Sequence, residues 1–410
     1  MEEKRVLSNV VLLFSVRLNE EEAEMIRKKG YTIILLKDNL INKEDFFYDY
    51  IYDIDIINKE NILRFFSEIN SSCKICRIIA FNDEYHCIAA WCAKKLGIPY
   101  WGLGVDIVER FVSKKIQRTI LETRDIPCAH GIVIRNEEGL KKAIETTISF
   151  PLIIKPSVGT GGYNVYRCDT YEELEDKYYK IVFDSEKNTI SENKEVILEE
   201  FLEGKQYSVE TISIEGQHFC VAVTETVILN VAEVMHTVPA MIPQCLEDEM
   251  KSITINALNA LKFMYGNTHT QLKLTAKGIK IIEINGRPSG GYIPEIVRAV
   301  YGVDMRKTHI NIMLDGPEAK VVKSPSLSQS ATAILLYSEQ KGKYRQLIIP
   351  STILENYKIN LVCEWKKRGD IVNAIYCDLD RLGGIIVLGK KDESKEAAKT
   401  ITKKIILEIE

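Results

Sequence analysis

The sequence predicts an α/β protein with more than one domain, and three observations lead to this prediction. Over residues 5–101, apolar strand-like runs alternate with helix-like runs, which is the pattern of a parallel sheet covered by helices. Further along, apolar and polar residues alternate over 207–214 and 219–228 on either side of a short turn, which indicates an antiparallel hairpin. The chain has 410 residues, more than a single hydrophobic core usually serves.

The composition is that of an ordinary globular protein, and it excludes several classes of function. Hydrophobic residues make up 46% and charged residues 27%, with a net charge of -4 at pH 7. This balance provides neither the basic surface that nucleic acid requires nor a polybasic patch for a membrane. The first apolar run is too short for a signal peptide or a membrane span. We therefore expect a cytoplasmic protein that acts on small molecules.

The ten cysteines do not form a convincing metal-binding pattern. One tight pair, Cys73 and Cys76, is followed by Cys87 and Cys92 at irregular spacing. Zinc sites with four ligands usually contain two tight pairs. We interpret the cysteines as reduced, mostly buried thiols.

The N-terminal region is predicted to alternate strands and helices. Asn19 and Glu22 are a candidate capping box for a helix that ends at Gly30. No Gly-x-Gly-x-x-Gly follows the first strand and no P-loop occurs, so these two modes of phosphate binding are unsupported. The predicted elements of this region lie at residues 5–14, 31–36, 61–69, 77–81, 83–96 and 98–101.

The stretch richest in chemical groups is predicted to be a hairpin whose second strand carries oxygen ligands. On that strand Ile281, Glu283 and Asn285 share one face by the period of two, whereas Ile282 and Ile284 share the other. Oxygen ligands spaced in this way suit a hard cation such as Mg²⁺ bound to nucleotide phosphates.

The residues just beyond this strand suit an anionic group. Arg287 supplies a planar cation with five donors. Ser289, Gly290 and Gly291 allow the backbone to approach a bound molecule closely. This segment therefore predicts a binding site for a phosphoryl or carboxylate group.

A lysine followed by a glycine-rich loop predicts a second phosphate-binding element. Lys155 ends an apolar strand, and the loop after it contains Gly159, Thr160, Gly161 and Gly162. Such glycines let successive N–H groups turn inward around an anion. A simple hairpin turn would explain the glycines but not the lysine, so we favour phosphate binding.

Five sequence motifs in a fixed order resemble those of a known superfamily. They are Lys114 at a helix start after Ser113, Lys155 before the glycine loop, the strand end at 199–202, the HTVPA stretch at 236–240, and the E-x-N-x-R motif at 283–287. Together they resemble the ATP-grasp superfamily, and within it the amino-acid ligases that join a carboxylate to an amine. The resemblance extends over the whole chain.

The resemblance implies the ATP-grasp fold. In this fold an N-terminal parallel α/β domain precedes two α+β subdomains that sandwich ATP, and a C-terminal α+β subdomain follows. The implied boundaries are 1–112 for the N-terminal domain, 113–198 for the lid subdomain, 199–315 for the catalytic subdomain and 316–410 for the C-terminal subdomain. A polar run at 184–194 is predicted to be a surface loop between subdomains.

The resemblance also implies which residues hold ATP and its metal. Gln271, Glu283 and Asn285 are the implied metal ligands, and Gln271 stands where the superfamily has an acidic residue. Gln206 is placed at the ribose, where a glutamate is usual. The implied ATP-binding residues are Lys114, Lys155, Gly159, Thr160, Gly161, Gly162, Glu199, Glu200, Phe201, Leu202 and Gln206.

The residues expected at the substrate come from three parts of the chain. Glu84 lies at the carboxyl edge of the predicted N-terminal sheet, although a favourable place in the first turn of a helix explains it equally well. His236 is expected at the substrate by resemblance, and a structural histidine is the alternative left open. The full implied set is Glu84, His236, Pro239, Arg287, Ser289, Gly290 and Gly291.

The implied reaction is an ATP-dependent ligation that uses Mg²⁺, with Mn²⁺ as a substitute. A substrate carboxylate takes the γ-phosphoryl group of ATP, and an amine then captures the acyl phosphate, leaving ADP and phosphate. Arg287, Lys155 and Glu283 are the implied catalytic residues. The expected partners are a small carboxylate and a small amine, with no nucleic acid or membrane, and a homodimer is left open.

Two other functions are left open by the sequence. The acceptor could be a simple amine or a carrier-protein thiol. Gln206, Gln271 and Thr226, the last of which stands where related ligases have a lysine, could instead mark a nucleotide-binding protein that has lost catalysis. We favour an enzyme because the residues that supply the charge required for the chemistry are all present, namely Lys155, Glu283, Asn285 and Arg287.

Overall fold

The fold is described from a computed structural model that covers residues 7–37, 47–69, 72–146, 149–183 and 195–410. Within these ranges the strands assemble into four sheets. No helix in the described ranges is long and apolar enough to cross a membrane.

A four-stranded parallel sheet forms the N-terminal part. Its strands are β1 (Leu7–Phe14), β2 (Thr32–Lys37), β3 (Tyr50–Asp53) and β4 (Cys73–Ala80), and its helices are α1 (Glu20–Lys28), α2 (Lys59–Ile69) and α3 (Asp83–Leu96). The strand order is β3-β2-β1-β4, with every pair parallel. The predicted capping box is confirmed, because Glu22 N–H donates to Asn19 Oδ1 at 2.9 Å and Asn19 N–H donates to Glu22 Oε2 at 3.0 Å.

Two features of this sheet differ from the prediction. The prediction of a strand at 98–101 is wrong, because these residues lead from α3 into a turn. Their apolar character reflects burial instead, since Tyr100 is buried and its hydroxyl lies 2.7 Å from Nδ1 of His86. The edge strand β3 was not predicted, and it has only four residues, all of them exposed or half-buried.

A smaller sheet forms a lid-like unit after the N-terminal part. Two helices, α4 (Glu109–Val112) and α5 (Lys114–Thr123), lead into it. It contains β5 (Gly131–Ile134), α6 (Glu137–Thr146), β6 (Leu152–Pro156), β7 (Tyr166–Cys168), α7 (Tyr171–Phe183) and β8 (Val196–Glu200). The order is β5-β8-β6-β7 with antiparallel pairs, so the glycine loop connects β6 to the edge strand β7. The loop predicted at 184–194 lies outside the described residues.

A three-stranded antiparallel meander, a hairpin and three helices follow the lid. They are β9 (Lys205–Ile214), β10 (Gln217–Leu229), β11 (Ala232–Val238), α8 (Gln244–Leu261), β12 (Gly266–Thr275), β13 (Gly278–Asn285), α9 (Ile293–Tyr301) and α10 (Met305–Asp315). The hairpins predicted for β9 with β10 and for β12 with β13 are both confirmed.

The C-terminal region extends the same sheet. It contains β14 (Ser330–Leu336), β15 (Gly342–Ile348), α11 (Ser351–Asn356), β16 (Lys358–Glu364), β17 (Ile371–Val372), β18 (Gly383–Gly389), α12 (Glu393–Lys404) and β19 (Ile406–Ile409). An eight-stranded antiparallel sheet runs in the order β13-β12-β9-β10-β11-β14-β18-β16, and β17-β15-β19 form a separate sheet. The boundaries given after residues 112, 198 and 315 stay predictions.

One C-terminal prediction needs correction. The apolar residues at 371–377 predict a strand of seven residues, but the structure has only the two-residue β17 there. The chain then turns, and a 3-10 helix at Asp378–Asp380 is fixed by Asp380, whose Oδ2 accepts the N–H groups of Tyr376 and Cys377 at 3.1 Å. Because these backbone N–H groups bond to a side chain, they are not free to extend a strand ladder.

Candidate active site

One cavity of about 530 Å³ brings together residues from all four parts of the chain. The lid sheet supplies one wall and the eight-stranded sheet supplies another. Most of the residues expected from the sequence line it. These are Glu84, Lys114, Lys155, Gly159, Thr160, Gly161, Gly162, Glu199, Glu200, Phe201, Leu202, Gln206, Gln271, Glu283, Asn285, Arg287, Gly290 and Gly291.

Lys155 is held in the cavity wall by a buried carboxylate. Its Nζ lies 2.6 Å from Glu199 Oε2, and Arg118 Nη2 donates to the other oxygen of Glu199 at 2.6 Å. Burial raises the pKa of Glu199, but Arg118 and Lys155 outweigh it and hold that pKa below its ordinary value. Each carboxylate oxygen of Glu199 is thus paired with a cation. Glu199 therefore orients Lys155, and little of its side chain is left to contact a ligand.

Two of the three glycines in the glycine loop have a backbone conformation that favours glycine. Gly161 and Gly162 have φ values of +64° and +69°, in the left-handed region that favours glycine. A Cβ added to Gly161 would lie 3.3 Å from Cδ2 of Leu379. Lys114 Nζ donates to the carbonyl of Gly159 at 2.8 Å, so the start of α5 and the loop are joined.

The candidate metal edge lies on the paired strands β12 and β13. Gln271 is paired directly with Glu283, and Asn285 ends β13. Lys114 Nζ lies 3.4 Å from Glu283 Oε2. Nε2 of Gln271 donates a hydrogen bond to Oε1 of Glu233 at 3.2 Å. The side-chain oxygen of Gln271 is therefore the atom that remains for a cation. One carboxylate and two amide oxygens fit a hard cation whose other ligands are phosphates and waters.

This edge depends on Glu283 for its negative charge. Within the described ranges, no group of three or more His, Cys, Asp and Glu side chains is arranged to hold a metal ion. A site built from Gln271, Glu283 and Asn285 would therefore rely on the charge of ATP. It suits Mg²⁺, which usually binds through few protein carboxylates.

A β-bulge changes which residues of β13 face the cavity. Gln271 pairs with Glu283, but the next residue, Leu272, pairs with Ile281, so Ile282 is the extra residue. Ile281 is completely buried in the core, whereas Ile282 lines the cavity. The prediction that Ile281 shares the face of Glu283 is therefore wrong, because the bulge interrupts the period of two.

Arg287 has a partner that the sequence analysis missed. Its Nε donates to Asp83 Oδ2 at 2.7 Å, and its Nη1 donates to the carbonyl of Pro288 at 3.1 Å. Burial raises the pKa of Asp83, but Arg287 outweighs it and holds that pKa below its ordinary value. Asp83 stands directly before Glu84, so the segment was identified correctly while the residue that holds the arginine was not.

Three residues expected at the substrate do not line the cavity. Pro239 and Ser289 are half-buried outside it, and His236 is completely buried behind the wall. Nδ1 of His236 lies 3.1 Å from Oγ1 of Thr226, and its Nε2 lies 3.5 Å from Glu233 Oε2. Burial, with nearby Arg381, holds the pKa of His236 well below its usual value, so this histidine is neutral.

Glu233 is the centre of a polar cluster that sequence reasoning did not find. Its Oε1 accepts hydrogen bonds from Gln206 Nε2 at 3.1 Å and from Gln271 Nε2 at 3.2 Å. Burial and the neighbouring Asp378 raise the pKa of Glu233 to about 7. The resemblance implies an acidic residue at both of these positions, and a glutamate at either one would bring a second carboxylate against Glu233. The substitutions at Gln206 and Gln271 are therefore linked through the side chain of Glu233.

The chain is similar to ATP-grasp proteins in sequence and in fold. The family model for the ATP-grasp domain matches residues 148–295. The solved structure of an L-amino acid ligase from Bacillus licheniformis superposes with a TM-score of 0.82 at 17% identity, covering 100% of both chains. This chain therefore contains an ATP-grasp domain within an ATP-grasp fold, and the predicted resemblance and fold class are confirmed.

Curated relatives match over long stretches at low identity. The chain is 22% identical over 423 residues to y4rH, an uncharacterized protein of Sinorhizobium fredii, covering 98% of this chain and 82% of that protein. It is 23% identical over 331 residues to the alanine–anticapsin ligase of Bacillus amyloliquefaciens, covering 75% of this chain and 69% of that protein. The relatives thus include ATP-grasp ligases.

Gln271→Glu should lower the Mg²⁺ concentration needed for half-maximal turnover at saturating ATP. The change adds a carboxylate opposite Glu283, and we expect roughly a tenfold effect, the scale on which nearby groups alter metal affinity. Steady-state rates over a Mg²⁺ series measure it.

Gln206→Glu is the matched control for this change. It also replaces an amide donor to Glu233 by a carboxylate, but it lies toward the expected ribose site. The Mg²⁺ requirement of this variant should stay close to that of the wild type. An unchanged requirement in Gln271→Glu would mean that residue 271 does not face the metal.

Proposed function

We propose that this protein is a Mg²⁺-dependent ligase that uses ATP to join a carboxylate to an amine, releasing ADP and phosphate. One observation carries the proposal. A single cavity is lined by Lys155 and the glycine loop, by the oxygen ligands of β13, and by Arg287. These are the cationic and oxygen groups that transfer of a phosphoryl group requires.

ATP would lie between the lid sheet and the eight-stranded sheet. The adenine would contact the strand end at residues 199–202, and the ribose would lie at Gln206. Lys114, Lys155 and the glycine loop would hold the phosphates. Glu283, Asn285 and Gln271 would hold Mg²⁺, which when bound neutralises the charge on the phosphates.

The chemistry follows from the weakness of a carboxylate as an electrophile. The substrate carboxylate attacks the γ-phosphorus, the bond between this phosphorus and the oxygen it shares with the β-phosphate breaks, and ADP departs. The resulting acyl phosphate carries a good leaving group. The acceptor, as the neutral amine, then attacks the acyl carbon, and phosphate departs with the proton that the nitrogen loses. Arg287 is positioned to stabilise the negative charge that develops in both steps. A nucleophilic side chain of the enzyme is not needed, because ATP supplies the activation.

The names of the relatives support amino acids as substrates. One is an alanine–anticapsin ligase and one structural neighbour is an L-amino acid ligase. We therefore propose an amino acid or a small acid as the carboxylate substrate, which is joined to an amine. The products would be an amide or a dipeptide.

Phosphate release on mixing the enzyme with Mg²⁺, ATP and amino acids, singly and in pairs, tests this function. The expected result is release that depends on both members of one pair. Hydroxylamine added in place of the acceptor should trap the activated carboxylate as a hydroxamate. Activation without use of any amine would favour a carrier-protein thiol as acceptor, and no activation of any acid would contradict the proposal.

A further inference from the structure

The segment Tyr376–Arg381, which the sequence analysis left without a role, reaches from the C-terminal region into the cavity. Asp378 N–H donates to the carbonyl of Gly161 at 3.1 Å, and the Tyr376 hydroxyl donates to the carbonyl of Val165 at 3.0 Å. Both acceptors lie in the loop between β6 and β7. The segment is therefore fixed against the glycine loop.

The other side of this segment presents a buried guanidinium. Arg381 lines the cavity and is only 7% exposed. Its Nη2 pairs with Asp378 Oδ1 and lies 3.6 Å from Glu233 Oε2, whereas its Nε has no hydrogen-bond partner among the described residues. A buried N–H donor without a partner costs free energy unless a ligand uses it.

Arg381 also lies beside the segment expected to approach the substrate. A Cβ built on Gly291 would be 3.6 Å from Arg381 Nη1. Gly291 follows Arg287 by four residues, and both line the same cavity. The cavity thus contains two guanidinium groups, one held by Asp83 and one held by Asp378.

We propose that Arg381 binds the carboxylate of an amino-acid acceptor, with Asp378 as its positioning residue and Glu233 beside it as the partner of the acceptor's amino group. The proposal rests on the proposed function and narrows it. It identifies an acceptor that carries a carboxylate, in contrast to a simple amine or a thiol.

The charges around Arg381 favour this ligand over a phosphoryl group. Two carboxyl groups, Glu233 and Asp378, lie next to the guanidinium, and they would repel the multiple negative charge of a phosphoryl group. An amino acid carries one carboxylate, which would pair with the guanidinium of Arg381. It also carries one ammonium group, which would pair with the carboxyl group of Glu233 beside it.

A second permanent cation also suits the reaction. The carboxylate that is activated loses its own charge as soon as it becomes the acyl group of the acyl phosphate, and the amide that follows is neutral at that carbon. The carboxylate of an acceptor amino acid keeps its charge throughout. A buried charge requires a lasting partner, and Arg381 provides one that is distinct from Arg287.

Calorimetric titration of acceptor binding to the enzyme saturated with Mg-ADP tests the proposal without turnover. The probes are L-amino acids, each compared with its carboxamide, which lacks the negative charge. Wild-type protein should bind one or more acids at least about 10-fold more tightly than the matching amides, the scale of hydrogen bonds to charged groups. In Arg381→Gln the ratio of the affinity for an acid to the affinity for the matching amide should fall to about one.

Two further variants keep the test decisive. Arg345→Gln, which changes an exposed arginine paired with Glu410, should keep the wild-type preference. Arg381→Lys keeps the charge but loses the planar fork, so it should retain part of the preference if Arg381→Gln fails to fold. The affinity for ADP should not change in any of the three.

The outcomes separate this proposal from the proposed function. Equal preference for acids in wild type and Arg381→Gln, or binding of no amino acid by the wild type, would overturn the proposal. Weaker ADP or ATP binding in Arg381→Gln, with the preference for acids intact, would assign Arg381 to the phosphates and also overturn it. If the preference is lost in the variant but no pair of substrates yields an amide, the proposed function fails while the assignment of Arg381 stands.

Discussion

Replacing Glu283 by glutamine is expected to lower turnover by about 1,000-fold, the upper end of the cost of losing one preorganised electrostatic group. Glu283 is the only carboxylate among the three expected metal ligands, and it also lies 3.4 Å from Lys114. The side chains of the variant would therefore offer Mg²⁺ only amide oxygens, beside the phosphates and waters. Steady-state phosphate release at several Mg²⁺ concentrations measures the loss.

Glu396→Gln is a suitable control for this change. Glu396 is an exposed residue of α12 that pairs with Lys399, so its replacement should leave turnover near the wild-type rate. Nucleotide binding by Glu283→Gln in the absence of Mg²⁺ should also be close to normal. Turnover that stays within about tenfold of the wild type would show that Glu283 is not essential to the metal edge.

Arg287→Lys is expected to reduce kcat by about 100-fold or more while ATP binds almost normally. Lysine keeps one positive charge but lacks the planar fork, which in the structure reaches Asp83 and the carbonyl of Pro288 simultaneously. We therefore expect the substitution to weaken stabilisation of the transition state rather than binding of ATP. Rapid-quench measurement of acyl phosphate formation, alongside the dissociation constant of an ATP analogue, separates these effects.

Arg298→Lys provides the matched control for this variant. Arg298 is a partly exposed arginine of α9 that pairs with Asp304, and the same substitution there should have little effect on kcat. If Arg287→Lys weakened ATP binding but retained its rate, the assigned role would be wrong.

Local patterns in the sequence were sufficient for most regular elements. The capping box of Asn19 and Glu22, the left-handed Gly97 at the end of α3, and the hairpin of β12 and β13 all depend on residues close together in the chain. For these elements, backbone preference and apolar period point to the same structure.

The parts that were missed depend on contacts between distant residues. Asp83 and Arg287 are 204 residues apart, and Glu233 and Asp378 are 145 apart, so no local pattern links them. The bulge at Ile282 is likewise set by the register of β12 against β13 rather than by the sequence of one strand. The glycine loop and the E-x-N-x-R motif could be predicted, because all the residues of each motif lie within a short stretch of the sequence.

Identification of the nucleotide product tests the central claim most directly. The enzyme is incubated with Mg-ATP and an active pair of substrates, and the nucleotides are separated by chromatography after turnover. Transfer of the γ-phosphoryl group to a carboxylate predicts ADP and inorganic phosphate in amounts equal to the amide formed. AMP and pyrophosphate would contradict the account, because they would mean that the carboxylate attacks the α-phosphorus instead.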